Sequence, residues 1–310
     1  MSRRILPRCA PPGALALLLL FAAPGCSIRQ YTVNQLGEAL AHSSGGTFAS
    51  DNDPDLIRAA APFSLKLTES LLAENPTSAE LLQTAASGFT EYAYAFVQED
   101  GDELMATDLA AAQALHARAR RLYLRARDYG LRGLEVRHPG FGAALAADPA
   151  KAAAQADPAD VPLLYWTAAS WGAAIALAKD DPALIGDLPK VEALIDRAVA
   201  LDEGWDHGAL HTFLIAYEMA RPGSPDGAAR AQREFDRAVA ESGGRLAAPY
   251  VAYAEAVPVQ RQQAAEFRRV LAQALAVDPD ADPAERLGNL VAQRRARWLL
   301  SRIDDLFLNP

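Results

Sequence analysis

Cysteine is nearly absent from this chain of 310 residues, and its two cysteines, Cys9 and Cys26, both lie close to the amino terminus. The residues after Cys26 therefore cannot form a disulfide among themselves, and their fold depends on the burial of apolar side chains. A chain of this length buries about three quarters of its unfolded surface, which is sufficient for a stable core.

Acidic residues are missing before Glu38, yet the whole chain carries a net charge of −9. The part that follows Arg3, Arg4 and Arg8 is more acidic still, and such a surface repels a phosphate backbone, which excludes nucleic-acid binding. Alternating runs of β-branched residues are also missing after residue 26, which argues against β structure.

The amino-terminal segment is typical of a secretory signal. Arg3 and Arg4 precede the apolar run Ala14–Ala23, which is too short for a membrane span of roughly 20 residues. The sequence APGCS (23–27) begins at the last residue of this run, and its small residues before a cysteine resemble a bacterial lipobox. We predict a signal peptide over 1–25 and lipidation of Cys26, with palmitate among the attached acyl chains; cleavage without lipidation, which leaves a free thiol, is the alternative.

A lipid at Cys26 would anchor the chain without a spanning helix. Ser27 stands where an Asp usually retains a lipoprotein at the inner membrane, which favours the outer membrane. We therefore expect a lipid-anchored periplasmic protein, with residues 26–52 as its lipidated amino terminus and linker and residues 53–310 as one helical domain.

Apolar residues in the predicted domain recur at steps of three and four, the period of an amphipathic helix. One such stripe follows Thr77 or Ser78, either of which is expected to cap the helix. It contains Leu81, Leu82, Ala85, Phe89, Tyr92 and Phe96. Another long helical run ends at His138-Pro139-Gly140, a strong stop signal. The fold class is predicted to be all-α.

Three similar tripeptides stand near predicted helix ends, centred on Ala198, Ala238 and Ala274 at spacings of 40 and 36 residues. A small residue near a helix end at this period is typical of tetratricopeptide-like helical hairpins, which stack into a superhelix with a concave binding face. The tripeptides are degenerate, and an ordinary helical bundle is the alternative.

Aromatic residues on predicted helices supply candidates for a ligand or partner cleft, because Tyr and Trp combine an apolar ring with a polar tip. Packing in the core is the alternative for most of them. The candidates, with one histidine, are Tyr92, Trp166, Trp171, His211, Tyr217, Tyr250 and Tyr253.

No catalytic residue, metal site or cofactor is predicted. His207 and His211 share a helical face at a spacing that suits zinc, with Glu218 as a third ligand, but Gly208 stands where a metalloprotease motif has Glu. Capping or packing is the preferred role of these histidines.

Arginines are concentrated near the carboxyl terminus. They are expected to pair within their own helical segment, with Glu285, Asp304 and Asp305. The arginines are Arg286, Arg294, Arg295, Arg297 and Arg302.

Four long segments together resemble the T-component lipoproteins associated with TRAP transporters. They are YWTAASWGAAIAL (165–177), HTFLIAYEMARPG (211–223), EFDRAVAESGGRLAAPYVAYAE (234–255) and RLGNLVAQRRARWLLSRIDDLF (286–307).

The resemblance implies a non-enzymatic, all-helical periplasmic lipoprotein that forms a homotrimer. It would partner the substrate-binding (P) component of a TRAP transporter and accept a small, apolar, organic-acid-like ligand in a cleft or pore. A structural lipoprotein that organises envelope complexes without any solute is one alternative, and a metal enzyme that uses His207, His211 and Glu218 is another.

Overall fold

The computed structural model describes residues 44–221 and 226–309, and every regular element within these ranges is a helix. The all-α prediction is thereby confirmed. Residues 1–43, which hold the predicted signal peptide, Cys26 and most of the predicted linker, lie outside the described residues. No helix among those described is both long and apolar enough to span a bilayer.

The helices are numbered in chain order. The first half contains α1 (Pro54–Glu74), α2 (Ala79–Ala93), α3 (Glu99–Leu104), α4 (Leu109–Arg137), α5 (Phe141–Ala147), α6 (Pro149–Ala153), α7 (Val161–Ala176) and α8 (Pro182–Ile185). The second half contains α9 (Leu188–Leu201), α10 (Trp205–Ala220), α11 (Gly227–Glu241), α12 (Ala248–Ala256), α13 (Ala264–Ala276), α14 (Arg286–Ser301) and α15 (Ile303–Leu306). Single turns of π-helix span Ser44–Phe48 and Tyr94–Gln98, and 3₁₀ turns span Pro158–Asp160 and Pro283–Glu285.

The long helices of the first half begin at side chains that cap them. Asp53 accepts hydrogen bonds from the first backbone N–H groups of α1, Ser78 accepts one from Leu81 N at 3.3 Å, and Asp108 accepts one from Ala111 N at 3.0 Å. Such a cap satisfies a backbone donor that has no partner inside the helix, so the sequence fixes where each helix starts.

The three alanines of the degenerate tripeptides lie near the ends of α9, α11 and α13. Ala198, Ala238 and Ala274 are fully buried, which agrees with a small residue where helices cross closely. Extensive packing joins α2 to α4, α4 to α7, α7 to α9 and α10 to α11. Helices therefore pack mainly on those near them in the chain, while the tetratricopeptide-like repeat itself stays a prediction.

The last long helix returns to the first. The Leu287 N–H at the start of α14 donates to the Ala49 carbonyl at 2.8 Å, and Arg286 Nη1 donates to the Ser50 carbonyl at 2.7 Å. Farther along α14, Arg294 Nη2 lies 3.0 Å from Asp100 Oδ1 and 2.8 Å from Glu103 Oε1 on α3. These contacts join the two ends of the helical series into a closed ring.

The expected local pairing of the carboxyl-terminal arginines is wrong for Arg294 and Arg295. They pair across the fold, Arg294 with α3 and Arg295 with Asp102 at 2.9 Å and Glu255 at 2.6 Å. Arg286 pairs with Asp280, before its own helix. Pairs along one helix contribute only a few tenths of a kcal/mol, so half-buried acids on other helices compete successfully. Only Arg302 makes a predicted contact, with Asp305 at 3.1 Å.

Gly130 permits the close approach of α4 to α7. A Cβ at this position would overlap the Thr167 hydroxyl and lie 3.3 Å from the Thr167 Cα. We expect Gly130→Ala to lower the free energy of unfolding by about 1–3 kcal/mol, because overpacking outweighs the helical preference of alanine. Urea denaturation measures the change.

Gly288 in α14 provides the matched control, since a Cβ there would meet no heavy atom within 4 Å. Gly288→Ala should raise the free energy of unfolding by up to about 1 kcal/mol. A Gly130→Ala protein as stable as the parent would contradict the close packing of α4 on α7.

Candidate ligand cavity

The closed ring surrounds a cavity of about 1050 Å³. Its walls come from α1, α2, α7, α10, α12 and α14, together with the turn that contains Phe48 and Ala49. The first and last long helices both contribute, and they meet at one side of the cavity, where Ile57 on α1 packs with Leu287 and Val291 on α14. Ligand sites for small organic molecules typically measure about 300–1000 Å³, and this cavity is at the upper end of that range.

Small residues at helical spacing create the empty space. On each wall they recur at three- and four-residue steps, which places them on one face of their helix. They include Thr84, Ser87 and Gly88 on α2, Thr212 and Ala216 on α10, Ala248 and Ala252 on α12, and Gly288 and Ala292 on α14. Because these side chains are short, the facing helices leave a gap that larger residues would fill.

Aromatic rings cover one part of the wall, where α2 passes into the π-helical turn Tyr94–Gln98. Tyr92, Tyr94 and Phe96 line the cavity from this segment, and Trp166 lines it from α7. Tyr94 is 41% exposed although it belongs to the wall of the cavity. A π-helical turn adds one residue to the helical repeat and is frequent at functional sites.

Of the described residues, three carboxylates and one ammonium group line the cavity: Glu91 on α2, Glu255 on α12, Glu285 in the 3₁₀ turn before α14, and Lys179 after α7. Glu255 is paired with Arg295, and Glu285 lies 3.8 Å from His207 Nε2. Glu91 forms no hydrogen bond or ion pair through its side chain within the part of the chain that the structure describes. The lining is therefore acidic.

Two carboxyl groups of the cavity wall have raised pKa values. Desolvation by the surrounding protein, with the nearby charge of Asp206 adding to it, raises the pKa of Glu91 to about 7. Burial, with Asp206 again adding repulsion, raises the pKa of Glu285. Glu91 is an exposed residue that lines the cavity, so its carboxyl group is accessible to solvent and this solvent screens part of the effect.

A second acidic group lies next to Tyr94 and Glu255. Glu99 is only 1% exposed, and neither of its carboxylate oxygens has a hydrogen-bond partner among residues 44–221 and 226–309. Burial raises its pKa to about 8, with the repulsion of Glu255 and Asp102 adding to this and the charge of Arg295 opposing it. At neutral pH Glu99 is accordingly held mainly as the uncharged acid.

The seven cleft candidates fall into three environments. Tyr92 and Trp166 line the cavity. Tyr253 stacks on Phe235, with ring centroids 4.5 Å apart, and borders a second, more open depression of about 900 Å³ between α12 and α13. Two of the seven candidates thus lie in the cavity wall, and their role in a ligand or partner cleft stays a prediction.

The other four candidates lie in the packed interior and do not line the cavity. Trp171 lies beneath Arg127 and Lys190, and Tyr217 stacks on Phe213. Tyr250 packs edge-on against Phe235. His211 is 1% exposed and its Nδ1 lies 2.7 Å from Glu234 Oε2. These four residues therefore pack in the core, which is the alternative that the sequence analysis gave to lining a cleft.

The three residues considered for a zinc site have separate partners. Asp206, His207 and Gly208 adopt positive φ angles, so α10 begins with a kink and the expected helical face is interrupted there. His207 is near Glu285, His211 is paired with Glu234, and Glu218 is paired with Arg230. Over residues 44–221 and 226–309, no group of three or more His, Cys, Asp or Glu residues is arranged to hold a metal ion.

Sequence reasoning missed Glu91, Tyr94, Glu255 and Lys179 as members of the cavity wall. A signal was present on α2, where Thr84, Ser87 or Gly88, and Glu91 form a small and polar stripe beside the apolar one. By itself such a stripe is typical of a solvated surface. In the folded protein this stripe faces the cavity, because the other helices of the ring lie opposite it.

Glu91→Gln tests the electrostatics of the wall. Because burial raises the Glu91 pKa to about 7, the folded protein gains stability below the normal pKa of 4.5 and loses that gain as the pH rises through 7. Glutamine stays neutral. We therefore expect Glu91→Gln to be more stable than the parent by about 1 kcal/mol at pH 8, after allowance for screening by cavity water.

The same variant should match the parent near pH 4, where the glutamate is protonated in both the folded and the unfolded protein. Thermal unfolding at the two pH values measures the effect, and about 1 kcal/mol corresponds to roughly 2–4 °C for a domain of this size. A difference of the same size at both pH values would show that Glu91 is not destabilised as an anion.

Comparison with known proteins bears on the whole domain. The chain is 30% identical over 314 aligned positions to an uncharacterized protein of Treponema pallidum (strain Nichols), and the alignment covers 96% of this chain and 97% of that protein. The model of the TRAP transporter T-component family matches residues 50–307, which include all helices of the ring. The match spans the cavity and its closure, and the chain belongs to the TRAP transporter T-component family.

Proposed function

We propose that this protein is a non-enzymatic accessory scaffold that associates with the substrate-binding (P) component of a TRAP-type transporter and holds or relays a small organic ligand. Family membership supports an association with a TRAP transporter. The observation that carries the ligand part is the cavity of about 1050 Å³ enclosed by the helical ring. A cavity of this size with aromatic rings in its wall suits a molecule with a large apolar part.

The proposal includes export and anchoring. The chain would be exported, lipidated at Cys26 and held in the periplasm at the envelope, more specifically at the outer membrane, and it would assemble as a homotrimer. The sequence APGCS and the family resemblance support this arrangement. A tethered scaffold near the membrane keeps its local concentration high, which favours docking of a diffusible binding protein.

The resemblance implies an organic acid as the ligand. The carboxylate of such a ligand would find one cationic side chain among the described residues of the cavity wall, Lys179, beyond the carboxyl-terminal end of α7. Its apolar part would lie along Tyr92, Tyr94 and Trp166.

Affinity purification tests the partnership. A tagged full-length chain purified from the periplasm of its own organism should enrich a solute-binding protein, and Cys26→Ser should keep that partner while the protein moves from the membrane fraction to the soluble fraction. Quantitative mass spectrometry measures both. Enrichment of envelope proteins without any solute-binding protein would favour the structural lipoprotein instead.

Filling the cavity separates ligand binding from docking. Ala216 on α10 lines the cavity and is exposed within it, so Ala216→Trp should occupy the space and lower the retention of a co-purifying small molecule at least about tenfold. Ala220→Trp, at an exposed position on the same helix outside the wall, is the matched control. Native mass spectrometry measures retained ligand.

Both variants should still bind the solute-binding protein, because docking uses the outer surface of the ring in this proposal. Equal ligand retention in the two variants would show that the ligand lies elsewhere.

A further inference from the structure

The charge of the cavity wall does not match an anionic ligand. In the part of the chain that the structure describes, the wall carries the carboxyl groups of Glu91, Glu255 and Glu285 and one ammonium group, that of Lys179. Arg295 already neutralises Glu255 through its Nη2, 2.6 Å from Glu255 Oε1. Among the described residues, neither Glu91 nor Glu285 forms a salt bridge with a lysine or an arginine. Asp206 adds its negative charge to both, and the more distant charge of Arg245 opposes this only at Glu285.

Glu91 is the carboxylate best placed to act on a ligand. It belongs to the face of α2 that lines the cavity, between Ser87 and Gly88 on one side and Tyr94 and Ala95 on the other. Among the described residues its side chain has neither a hydrogen bond nor an ion pair. A carboxylate that lines an acidic cavity and has no paired cation lies in a region of negative potential, and this potential attracts a cation that enters the cavity.

The groups around Glu91 reinforce this preference. From α10, Asp206 repels the negative charge of Glu91, and His207 at the same kink lies 3.8 Å from Glu285 through its Nε2. On α7, burial raises the pKa of the Tyr165 hydroxyl, and the negative charges of Asp206 and Glu91 raise it further. Trp166, the next residue, lines the cavity. The faces of aromatic rings carry partial negative charge and attract cations.

We propose that the cavity selects an organic cation, a protonated amine on an apolar body, with Glu91 as the residue that pairs with the ammonium group. The inference rests on the proposed function, because the cavity must hold a ligand before its charge can select one. An organic acid would instead bring its own negative charge beside Glu91, Glu285 and Asp206. The apolar body of the amine would lie against the aromatic wall of Tyr92, Tyr94 and Trp166.

Three probes of the same length separate charge from apolar contact: octylammonium, octanol and octanoate. Isothermal titration at pH 8 of the exported chain carrying Cys26→Ser, which keeps every described residue, measures their Kd values. We expect octylammonium to bind about tenfold more tightly than octanoate, with octanol between them. Octanoate binding as tight as octylammonium, or tighter, would overturn the selection of a cation while leaving the cavity as a ligand site.

A pair of variants locates the effect. Glu91→Gln should weaken octylammonium binding about tenfold and leave octanol unchanged, because only the ammonium group uses the charge. Glu80→Gln, an exposed position at the start of the same helix and outside the wall, should bind all three probes like the parent. Glu285→Gln is a second cavity variant, expected to weaken octylammonium by a smaller factor. Unchanged octylammonium binding in both cavity variants would contradict the proposal.

Proton exchange on binding gives a readout that packing alone would not change. With a Glu91 pKa of about 7, part of the protein carries a proton there at pH 7, and an ammonium ion would expel it. Octylammonium binding should thus release protons, and Glu91→Gln should abolish most of the release. Calorimetry in two buffers of different ionisation enthalpy measures it; proton uptake would overturn the assignment.

Failure of the charge selection and failure of the proposed function give different results. If none of the three probes binds, the cavity is not a ligand site for apolar molecules, and the ligand part of the proposed function fails together with the inference. If all three bind equally, only the inference fails. Association with the solute-binding protein is measured separately and depends on neither result.

Discussion

The contact between α14 and the first helices is the constraint on which the cavity depends. Backbone and side-chain donors of Leu287 and Arg286 reach the carbonyls of Ala49 and Ser50, and Arg294 is bound to acids on α3. Without these contacts the helices would form an open series whose concave face is simply solvated. With them, the same face becomes the wall of a concave cavity, where charge is screened less and apolar contact is stronger than on an open surface.

Enclosure also explains why the wall has its particular chemistry. Small residues on α2, α10, α12 and α14 keep the centre of the ring open, and the aromatic residues near the π-helical turn give it an apolar side. The carboxyl group of Glu99 is disfavoured as an anion because protein replaces water around it, and that of Glu91 is disfavoured by the protein beside it and by the charge of Asp206. A protein that only organises other proteins needs none of these features in its interior. Together they favour a scaffold that also holds a ligand.

The local structure could be predicted well from the sequence. Asp53, Ser78 and Asp108 cap helices where the apolar stripes begin, and Ala198, Ala238 and Ala274 are buried near helix ends as their spacing indicates. These features depend on residues within a few positions of each other, so periodicity and capping rules suffice. The expected arginine pairs were wrong because Arg294 and Arg295 find their partners on helices far away in the chain.

What the sequence by itself determined is the all-helical fold, the starts of its main helices and the resemblance to the T-component family. Only the tertiary structure decided which helix faces line the cavity and which pack in the core. Tyr92 and Trp166 line the cavity while Trp171 and Tyr250 are packed in the core, although all four are aromatic residues on helices of similar pattern. The physical reason is that a residue's exposure to a central cavity depends on how distant helices meet, and helical period carries no information about that meeting.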